Sequence, residues 1–418
     1  MDLKKQIKNT VLKAKKASIE AAVLPLTVRN KVLKQVAKEL RKQSVKIQSE
    51  NKKDLATAKR MGLSLAMIDR LTLTGQRIKD MASSVEEVAN LQDPLGKLLE
   101  QKKRKNGLVI QKVSVPLGVI VIIYESRPNV TSECASLCFK SGNSVVLRGG
   151  KEAFYSNKII ASIYRKVLKE NKVSQDAISL IQTTDRKAVD ELIQLEGLVN
   201  LVIPRGGESL IQRVVSNARV PVIKHYKGLC HIYIDKDADI ATAQAIAINA
   251  KVQRPGVCNA METLLVHKKI AQKFIPVIAT QLELEGCEIR GDVRAKKIYP
   301  KIKKASNKDW VTEYLDLILS VKIVDDVNDA ISHIQKYGSG HTEAIVSKNK
   351  KALDAFMKNV DASSVMINAS TRFADGNQYG LGAEIGISTD KIHARGPMGL
   401  EGLTSYKYIV HGKGHVRK

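Results

Sequence analysis

Cys258 is the residue of this chain whose surroundings best suit covalent catalysis. It follows the turn Arg254-Pro255-Gly256 and precedes the apolar run 263–266. A thiol becomes a nucleophile when it is ionised and accessible, and a cation such as Arg254 favours the thiolate. A cysteine that only fills a core usually lies inside a regular apolar period. We predict that Cys258 is a catalytic nucleophile, and a packing role is the alternative.

Asn129 is a second candidate, in a polar segment at residues 124–131 that follows the β-branched run 119–123. Polar side chains at the carboxyl end of a buried strand belong in a ligand crevice. The side-chain amide of Asn129 can donate a hydrogen bond to an oxyanion that develops during acyl transfer. Capping of the following helix by Asn129 or Thr131 is the alternative.

Two Gly-Gly pairs follow predicted strands. Gly149-Gly150 comes directly after Arg148, and Gly206-Gly207 comes after Arg205. Glycine lets a backbone approach a phosphate or a ribose at a helix N-terminus, and the neighbouring cations add attraction. Each pair could equally form a plain strand-to-helix turn. The usual dinucleotide fingerprint, Gly-x-Gly-x-x-Gly, follows none of the strands.

The other cysteines and histidines do not indicate a metal site. Cys134 and Cys138 lie four residues apart on a predicted helix, which suits packing. His225, Cys230 and His231 are close in sequence, but no second cluster has the spacing of a zinc site. We therefore predict that no metal is bound.

The elements that carry these residues alternate between helix and strand. Residues 1 to about 100 have helical apolar spacing, and from residue 108 short β-branched strands alternate with helices. This alternation is typical of a doubly wound parallel sheet, so the predicted fold class is α/β. We predict a Rossmann-like domain at 1–254, a second α/β domain at 255–385 that carries Cys258, and a C-terminal tail at 386–418. Two α/β halves of this kind favour an enzyme with a cofactor cleft.

The chain is strongly basic, with 69 Lys and Arg against 42 Asp and Glu and a formal net charge of +27. Such an excess attracts polyanions, but aromatic residues make up only 4% of the chain and leave few platforms for base stacking. The lysines are also spread along the whole chain. We predict no dedicated nucleic-acid binding. A solvated basic surface or the steering of anionic substrates explains the charge.

The five cysteines have no framework spacing, which suits a reducing compartment. The basic amino terminus lacks an apolar signal core, and Leu3, Ile7 and Val11 predict an amphipathic surface helix. The longest uncharged apolar run, 113–124, is far shorter than the ~20 residues of a membrane helix. We predict a cytoplasmic protein without membrane spans.

Several segments together resemble the aldehyde dehydrogenase superfamily, and within it the branch that reduces an acyl phosphate of glutamate. The resemblance covers nearly the whole chain and rests on YESRPN (124–129), GNSVVLRGG (142–150), IPRGG (203–207), KHYKGLCH (224–231), QRPGVCNAME (253–262) and GAEIGIST (382–389). It implies an aldehyde-dehydrogenase-like fold and the NADPH-dependent reduction of L-glutamyl 5-phosphate to L-glutamate 5-semialdehyde and phosphate. This reaction is the second step from glutamate toward proline.

The resemblance also implies roles for single residues. Cys258 matches the family nucleophile, and Asn129 matches the oxyanion asparagine that acts with the backbone N–H of Cys258. Glu313 matches the glutamate that holds the nicotinamide ribose.

The remaining implied roles concern the adenosine side of the cofactor and the substrate. Arg148, followed by Gly149, takes the place of the usual adenosine-side lysine, and Gly206-Gly207 that of the turn beside the pyrophosphate. Candidates for binding the phosphate and the α-carboxylate of the substrate are Arg127, Arg254 and Arg372.

One segment departs from the wider superfamily. Hydrolytic members carry Glu-Leu-Gly-Gly, whose glutamate activates water against the thioester, whereas this chain has His225-Tyr226-Lys227-Gly228. An acyl intermediate that must survive for hydride transfer needs a site without such a base. The departure favours the phosphate-coupled reaction, and a hydrolytic NAD(P)-dependent aldehyde dehydrogenase is the alternative.

Two partners are expected. The sequence has no kinase domain and acyl phosphates are labile in water, which makes contact with a separate glutamate 5-kinase plausible. The resemblance further implies a homo-oligomer, in which strand 108–115 and the final strand 404–410 form an oligomerisation sheet.

Overall fold

The computed structural model describes residues 2–417, apart from the side chain of Ala66. In that range the helices are α1 (Leu3–Ala21), α2 (Leu26–Lys42), α3 (Ser44–Arg60), α4 (Leu65–Leu71), α5 (Gly75–Asn90), α6 (Asn129–Lys140), α7 (Phe154–Glu170), α8 (Lys187–Ile193), α9 (Glu208–Asn217), α10 (Ile240–Val252), α11 (Lys268–Leu284), α12 (Val293–Ile298), α13 (Val327–Tyr337) and α14 (Lys350–Asn359). The strands are β1 (Leu98–Lys103), β2 (Val109–Pro116), β3 (Val119–Tyr124), β4 (Ser144–Gly149), β5 (Ile178–Leu180), β6 (Leu201–Arg205), β7 (Cys230–Ile234), β8 (Met261–His267), β9 (Glu288–Gly291), β10 (Lys303–Lys304), β11 (Ile318–Val324), β12 (Thr342–Val346), β13 (Ser364–Ile367), β14 (Ile387–Ser388), β15 (Gly396–Pro397) and β16 (Thr404–His411).

The chain divides into two compact units. The first comprises residues 1–224, 380–386 and 398–418, and the second comprises 225–379 and 387–397. The division differs from the boundary at residue 254 that the sequence suggests, because β7 pairs with β8 on one side and β12 on the other. These pairings make β7 a strand of the second unit.

The amino-terminal part of the first unit is helical, as its apolar spacing predicts. The sequence predicts an interruption of the helical spacing at Thr72 and Thr74, and this is where α4 ends and α5 begins. The Thr74 side chain accepts a hydrogen bond from the backbone N–H of Arg77 at 3.2 Å. A threonine in this place caps the start of a helix. Ile7 and Val11 on α1 are buried in the core of the unit, which confirms the predicted amphipathic helix.

A four-stranded parallel sheet forms the centre of the first unit, with strand order β5-β4-β3-β6. Every residue of β3 is buried, as expected for a continuous apolar strand between two parallel neighbours. Val119, Val121 and Ile123 share one face of β3 and pack in the same core as the buried face of α1. The carboxyl ends of β3, β4 and β6 therefore lead into the segments that carry Asn129, Arg148 and Gly206-Gly207.

A three-stranded antiparallel sheet, β1-β2-β16, also belongs to the first unit. The strand predicted at 108–115 and the strand predicted at 404–410 pair with each other, with Val113 opposite Lys407. Strand β1 was not predicted, because its sequence Leu-Leu-Glu-Gln-Lys-Lys does not alternate and all six residues are exposed.

A seven-stranded parallel sheet forms the second unit, with strand order β10-β9-β11-β8-β7-β12-β13. Strands β7, β8 and β12 are buried along their whole length and explain the apolar runs seen in the sequence. The sequence predicts a strand over residues 315–324, but β11 begins only at Ile318, because Leu315 takes a left-handed conformation with φ +54°. In the described range, none of the helices combines the length and apolar character that a bilayer crossing requires.

Candidate active site

Cys258 lies in the loop that joins α10 to β8 in the second unit. It is partly exposed, whereas the other four cysteines are buried. Burial raises the pKa of the Cys230 and Cys138 thiols well above the ordinary value and that of Cys287 to about 11. Cys258 is thus the cysteine of this chain that a substrate can reach.

Gly228 packs directly against the backbone of Cys258. A Cβ atom at position 228 would overlap the carbonyl group of Cys258, so the close approach requires a glycine. The backbone N–H of Gly228 donates to Oε1 of Glu313 at 2.9 Å. Gly228 therefore links the loop of the predicted nucleophile to the residue that the sequence assigns to the cofactor.

The carbonyl oxygen of Cys258 is held from a second direction. The buried Cys230 thiol donates to this oxygen, with the sulfur 3.2 Å away. Behind it, Nδ1 of His341 lies 3.7 Å from the Cys230 sulfur and 2.9 Å from the Thr342 hydroxyl oxygen. Burial lowers the pKa of His341 to about 3, so this ring is neutral at physiological pH. The backbone orientation of Cys258 is therefore well defined.

One predicted arginine, Arg372, belongs to the electrostatic surroundings of Cys258, and a second, Arg254, belongs to those of Arg372. Burial lowers the pKa of Arg372, the Arg254 charge lowers it further, and Asp375 and Cys258 act in the opposite direction. The Arg372 guanidinium donates through Nε to the side-chain oxygen of Gln253 at 2.8 Å. A cation that interacts with a thiol favours the ionised form of that thiol.

Asn129 is the first residue of α6 in the first unit. Its Nδ2 donates to Oε1 of Glu133 at 2.7 Å, one turn further along the helix. The N-cap residue of α6 is Pro128, and no side chain caps this end. Thr131 instead bonds the Tyr124 hydroxyl at 2.6 Å. The capping alternative for Asn129 and Thr131 is therefore wrong, and Arg127 lies in the loop just before the helix.

The second Gly-Gly pair stands at the start of α9. The N–H of Gly207 donates to Oε2 of Glu125 at 3.0 Å, and a Cβ at Gly206 would overlap the same carboxylate. This end of α9 thus already accommodates an anionic group, as helix N-termini do. At the first pair, a Cβ at Gly149 would overlap the side chain of Asn157. Close contacts with the side chains of Glu125 and Asn157 therefore explain why positions 206 and 149 are glycine.

Arg148 lies at the carboxyl end of β4 and is buried. Its Nη2 donates to the carbonyl oxygens of Thr184 and Asp185 at 3.3 and 3.2 Å. Burial lowers the pKa of this guanidinium. Its Nε has no hydrogen-bond partner among the described atoms. A buried donor without a partner, at the carboxyl edge of a parallel sheet, fits the polar oxygens of a dinucleotide.

A buried ion pair near Cys258 was not anticipated from the sequence. Lys251 at the end of α10 and Glu262 at the start of β8 flank the nucleophile loop, with Nζ 2.8 Å from Oε2. The only sequence signal for this ion pair was the position of Glu262 next to the apolar run 263–266. Neither the pair nor the contact of Gly228 with Cys258 has a local pattern, because their partners are distant in sequence.

Comparisons with known proteins identify the family of this chain. The model of the aldehyde dehydrogenase family matches residues 2–316. The gamma-glutamyl phosphate reductase of Nautilia profundicola is 51% identical over 412 residues, covering 99% of this chain and 100% of the relative. That of Geobacter metallireducens is 51% identical over 418 residues, covering 100% of both chains.

Solved structures give the same result. The crystal structure of gamma-glutamyl phosphate reductase from Thermotoga maritima has a TM-score of 0.97 and 45% identity, covering 99% of this chain and 100% of that chain. An acetylating aldehyde dehydrogenase from Geobacillus thermoglucosidasius is 17% identical, with a TM-score of 0.70, and covers 100% of this chain and 98% of that chain. At that identity the likeness concerns the fold alone.

Proposed function

The chain belongs to the aldehyde dehydrogenase family and, within it, to the gamma-glutamyl phosphate reductases, and we propose that it reduces L-glutamyl 5-phosphate with NADPH. The products are L-glutamate 5-semialdehyde and phosphate, in the second step from glutamate toward proline. Full-length identity of 51% to relatives of that name supports this assignment. The observation that carries it is the partly exposed Cys258, which interacts electrostatically with Arg372.

In this proposal the Cys258 thiolate attacks the carbonyl carbon of the acyl phosphate. A C–S bond forms, the C–O bond to phosphate breaks, and phosphate leaves with the bonding electron pair. Arg254 and Arg372 stabilise the thiolate and bind the anionic groups of the substrate, and Arg127 is the third candidate for that task. Phosphate is a good leaving group, so the step needs no strong general acid.

Asn129 and the backbone N–H of Cys258 are assigned to the oxyanion of the tetrahedral species. Donors that are fixed before the reaction stabilise this charge without reorganisation. Both donors, the Asn129 amide and the Cys258 backbone N–H, have neighbours that fix their position. Glu133 holds the Asn129 amide at 2.7 Å, while Cys230 and Gly228 hold the backbone of Cys258.

The residues assigned to the cofactor are Arg148, Gly149, Gly206, Gly207 and Glu313. When bound, NADPH would supply a hydride to the thioester carbon; the C–S bond then breaks, which releases the aldehyde and regenerates the Cys258 thiolate. Arg148 offers its unpartnered Nε to an oxygen of the cofactor, and the start of α9 suits an anionic group. Glu313 is oriented by the N–H of Gly228 and would accept hydrogen bonds from the ribose hydroxyls of the cofactor.

The absence of a carboxylate at His225-Tyr226-Lys227-Gly228 supports reduction over hydrolysis. A site without a water-activating base leaves the Cys258 thioester intact until it is reduced. In the reverse direction, the same thioester is released to phosphate. A hydrolytic NAD(P)-dependent aldehyde dehydrogenase would instead need a base that delivers water.

The phosphate requirement tests the proposal directly. Purified protein is incubated with glutamate 5-semialdehyde and NADP, with and without inorganic phosphate, and NADPH is followed by absorbance. We expect NADP reduction only with phosphate. Equal rates without phosphate would support the hydrolytic reaction. A Cys258→Ala variant with a wild-type melting temperature serves as the matched control for background reduction.

The proposal extends to a cytoplasmic location and to a kinase partner. The substrate is a labile acyl phosphate, so contact with a glutamate 5-kinase shortens its exposure to water. The contact is measured in an assay that couples the kinase to this protein, in the presence of an excess of a phosphatase that hydrolyses any free acyl phosphate. We expect glutamate 5-semialdehyde to form in spite of the phosphatase. Full loss of this product would show that the acyl phosphate diffuses freely and would contradict the proposed contact.

A further inference from the structure

A buried ion pair flanks the nucleophile loop of the second unit. The side chains of Lys251 and Glu262 are 0% and 1% exposed, and their charged atoms lie 2.8 Å apart. Removing two charges from water is costly, and an apolar pair of similar volume is often at least as stable. The pair is therefore poorly explained by stability alone.

The second oxygen of Glu262 contacts a different segment. Its Oε1 accepts a hydrogen bond from the backbone N–H of Leu315 at 3.1 Å. Leu315 has φ +54°, a left-handed conformation that is unfavourable for a residue with a branched side chain. Such a conformation persists only where the surroundings hold it. The Glu262 carboxylate provides that hold, because Lys251 fixes its other oxygen.

The held segment contains Glu313, two residues before Leu315. Oε1 of Glu313 accepts from the N–H of Gly228, and Gly228 packs against the backbone of Cys258. Between them, the Tyr314 hydroxyl donates to Asp309 at 2.8 Å. Contacts thus run from Lys251 through Glu262, Leu315 and Glu313 to the nucleophile loop.

We infer that Glu262, oriented by Lys251, is a positioning residue for Glu313 and acts through the backbone N–H of Leu315. The inference rests on the proposed function, because it takes Glu313 as the residue that binds the ribose of the dinucleotide. Glu262 itself is buried, and it is assigned no contact with substrate or cofactor. Its role is to keep the Leu315 backbone in the left-handed conformation, which fixes the orientation of the Glu313 carboxylate.

Two double variants test this role. Lys251→Met/Glu262→Gln and Lys251→Met/Glu262→Leu both remove the charge pair without leaving an unpaired ion. They differ in one respect, since only glutamine keeps an oxygen for the Leu315 N–H. NADP affinity is measured by calorimetry, together with the melting temperature and the rate of Cys258 alkylation by iodoacetamide without dinucleotide.

We expect the glutamine variant to bind NADP within about twofold of wild type and the leucine variant about tenfold more weakly, the effect of one lost hydrogen bond. In the leucine variant, KM for NADPH should rise, while kcat at saturating NADPH stays within about twofold. Cys258 alkylation should be alike in both, because Cys230 still holds the Cys258 carbonyl. Equal NADP affinity of the two variants would overturn the inference.

A rescue variant separates positioning from general damage. Asparagine tolerates the left-handed region, and Leu315 is 45% exposed, so Leu315→Asn costs little packing. Added to the leucine variant, it should recover most of the lost NADP affinity. No recovery would contradict the proposed route through Leu315. Should the leucine variant not fold, Lys251→Met/Glu262→Met takes its place.

A Glu313→Gln variant distinguishes this inference from the proposed function. If Glu313→Gln leaves NADP affinity unchanged, the assignment of Glu313 fails and the inference fails with it. If Glu313→Gln weakens NADP binding but the leucine variant does not, only the positioning role of Glu262 is refuted. Weakening of NADP binding in both variants, with the rescue described above, supports the inference.

Discussion

At the level of single residues, the reactivity of a cysteine thiol depends on its exposure and on nearby positive charge. Cys134, Cys138, Cys230 and Cys287 are buried, and burial raises the pKa of their thiols. Cys258 is partly exposed and belongs with Arg254 to the electrostatic surroundings of Arg372. Exposure, together with stabilising positive charge, distinguishes a reactive thiol from a packing thiol.

A substitution of Asn129 tests the oxyanion assignment. Asn129→Ala removes a side-chain donor that Glu133 holds in place. Loss of one donor of this kind lowers turnover by about 10²–10³. We expect kcat for NADPH-dependent reduction to fall by this factor, with KM nearly unchanged. A kcat within a few-fold of wild type, in a variant with unchanged melting temperature, would refute the assignment.

At the scale of elements, the loops that lead into β-strands of the second unit carry the predicted nucleophile and its neighbours. Gly228 precedes β7, Cys258 precedes β8, and Glu313 precedes β11. Strands β7, β8 and β11 are neighbours in the seven-stranded sheet. Because adjacent parallel strands begin at the same edge of a sheet, these loops lie side by side. Their contacts are a consequence of strand order.

Gly228→Ala tests the contact between two of these loops. The added Cβ would overlap the Cys258 carbonyl group, so the loop must shift. Overpacking of this kind costs about 1–3 kcal/mol in the free energy of unfolding. We expect reductase activity to be lost and the melting temperature to drop.

The matched control for this variant is Gly75→Ala. The Cβ there would have its nearest neighbour, Gln48 Nε2, at 3.8 Å and would meet no backbone. Wild-type activity and stability are expected in this control. Activity of Gly228→Ala equal to that of Gly75→Ala would contradict the close contact.

Acid stability tests the buried histidine behind Cys258. Burial lowers the pKa of His341 from 6.5 to about 3, with His225 as a further cause and Cys230 and Thr342 as direct neighbours. The unfolded chain binds a proton near pH 6.5, whereas the folded chain does not. The contribution of neutral His341 to stability is therefore present above pH 6.5 and is lost as the pH falls toward 3.

The expected loss from this one group is about 2 kcal/mol between pH 6.5 and pH 5. Urea unfolding of wild type and of a His341→Asn variant at both pH values measures it. The decrease in the free energy of unfolding should be smaller in the variant by about that amount. Parallel decreases in both proteins would show that His341 does not titrate in this way.

Much of the architecture could be predicted from the sequence. The β-branched run 119–123 identified β3 and the apolar run 263–266 identified β8, since strands buried on both faces are rich in apolar residues. The exposed strand β1 and the short strand β9 were not predicted, because their sequences contain neither a continuous apolar run nor a regular alternation of apolar and polar residues. The late start of β11 depends on the bond between Leu315 and Glu262, which no local pattern reveals.

The site was predictable only in part, for a similar reason. The Cys258 loop has a local signature of turn, cation and apolar strand. The contacts of Gly228 with Cys258 and of Glu313 with Gly228 arise from the order of strands in the sheet, and that of Lys251 with Glu262 arises from the packing of α10 against β8. A single sequence carries no direct record of such contacts.

At the scale of the whole molecule, the three-stranded sheet offers a surface for self-association. On the edge strand β16, Tyr406, Tyr408 and Val410 share one face and are 48%, 58% and 56% exposed. An exposed apolar row on an edge strand is a typical interaction surface. This row supports the predicted homo-oligomer.

Light scattering coupled to gel filtration tests this association. We expect a mass above that of one chain for wild type, and a lower mass for a Tyr408→Lys/Val410→Lys variant. Lys407→Gln, between these residues on the opposite face of β16, serves as the control and should keep the wild-type mass. A wild-type mass equal to that of a single chain would refute the prediction.

The central claim is that the acyl group of the substrate is carried by one sulfur atom. Protein is mixed with L-glutamyl 5-phosphate without NADPH, quenched in acid, digested and analysed by mass spectrometry. We predict a glutamyl adduct on the peptide that contains Cys258, and its loss after NADPH is added. An adduct on another cysteine, or no adduct in protein that is active with NADPH, would contradict the mechanism.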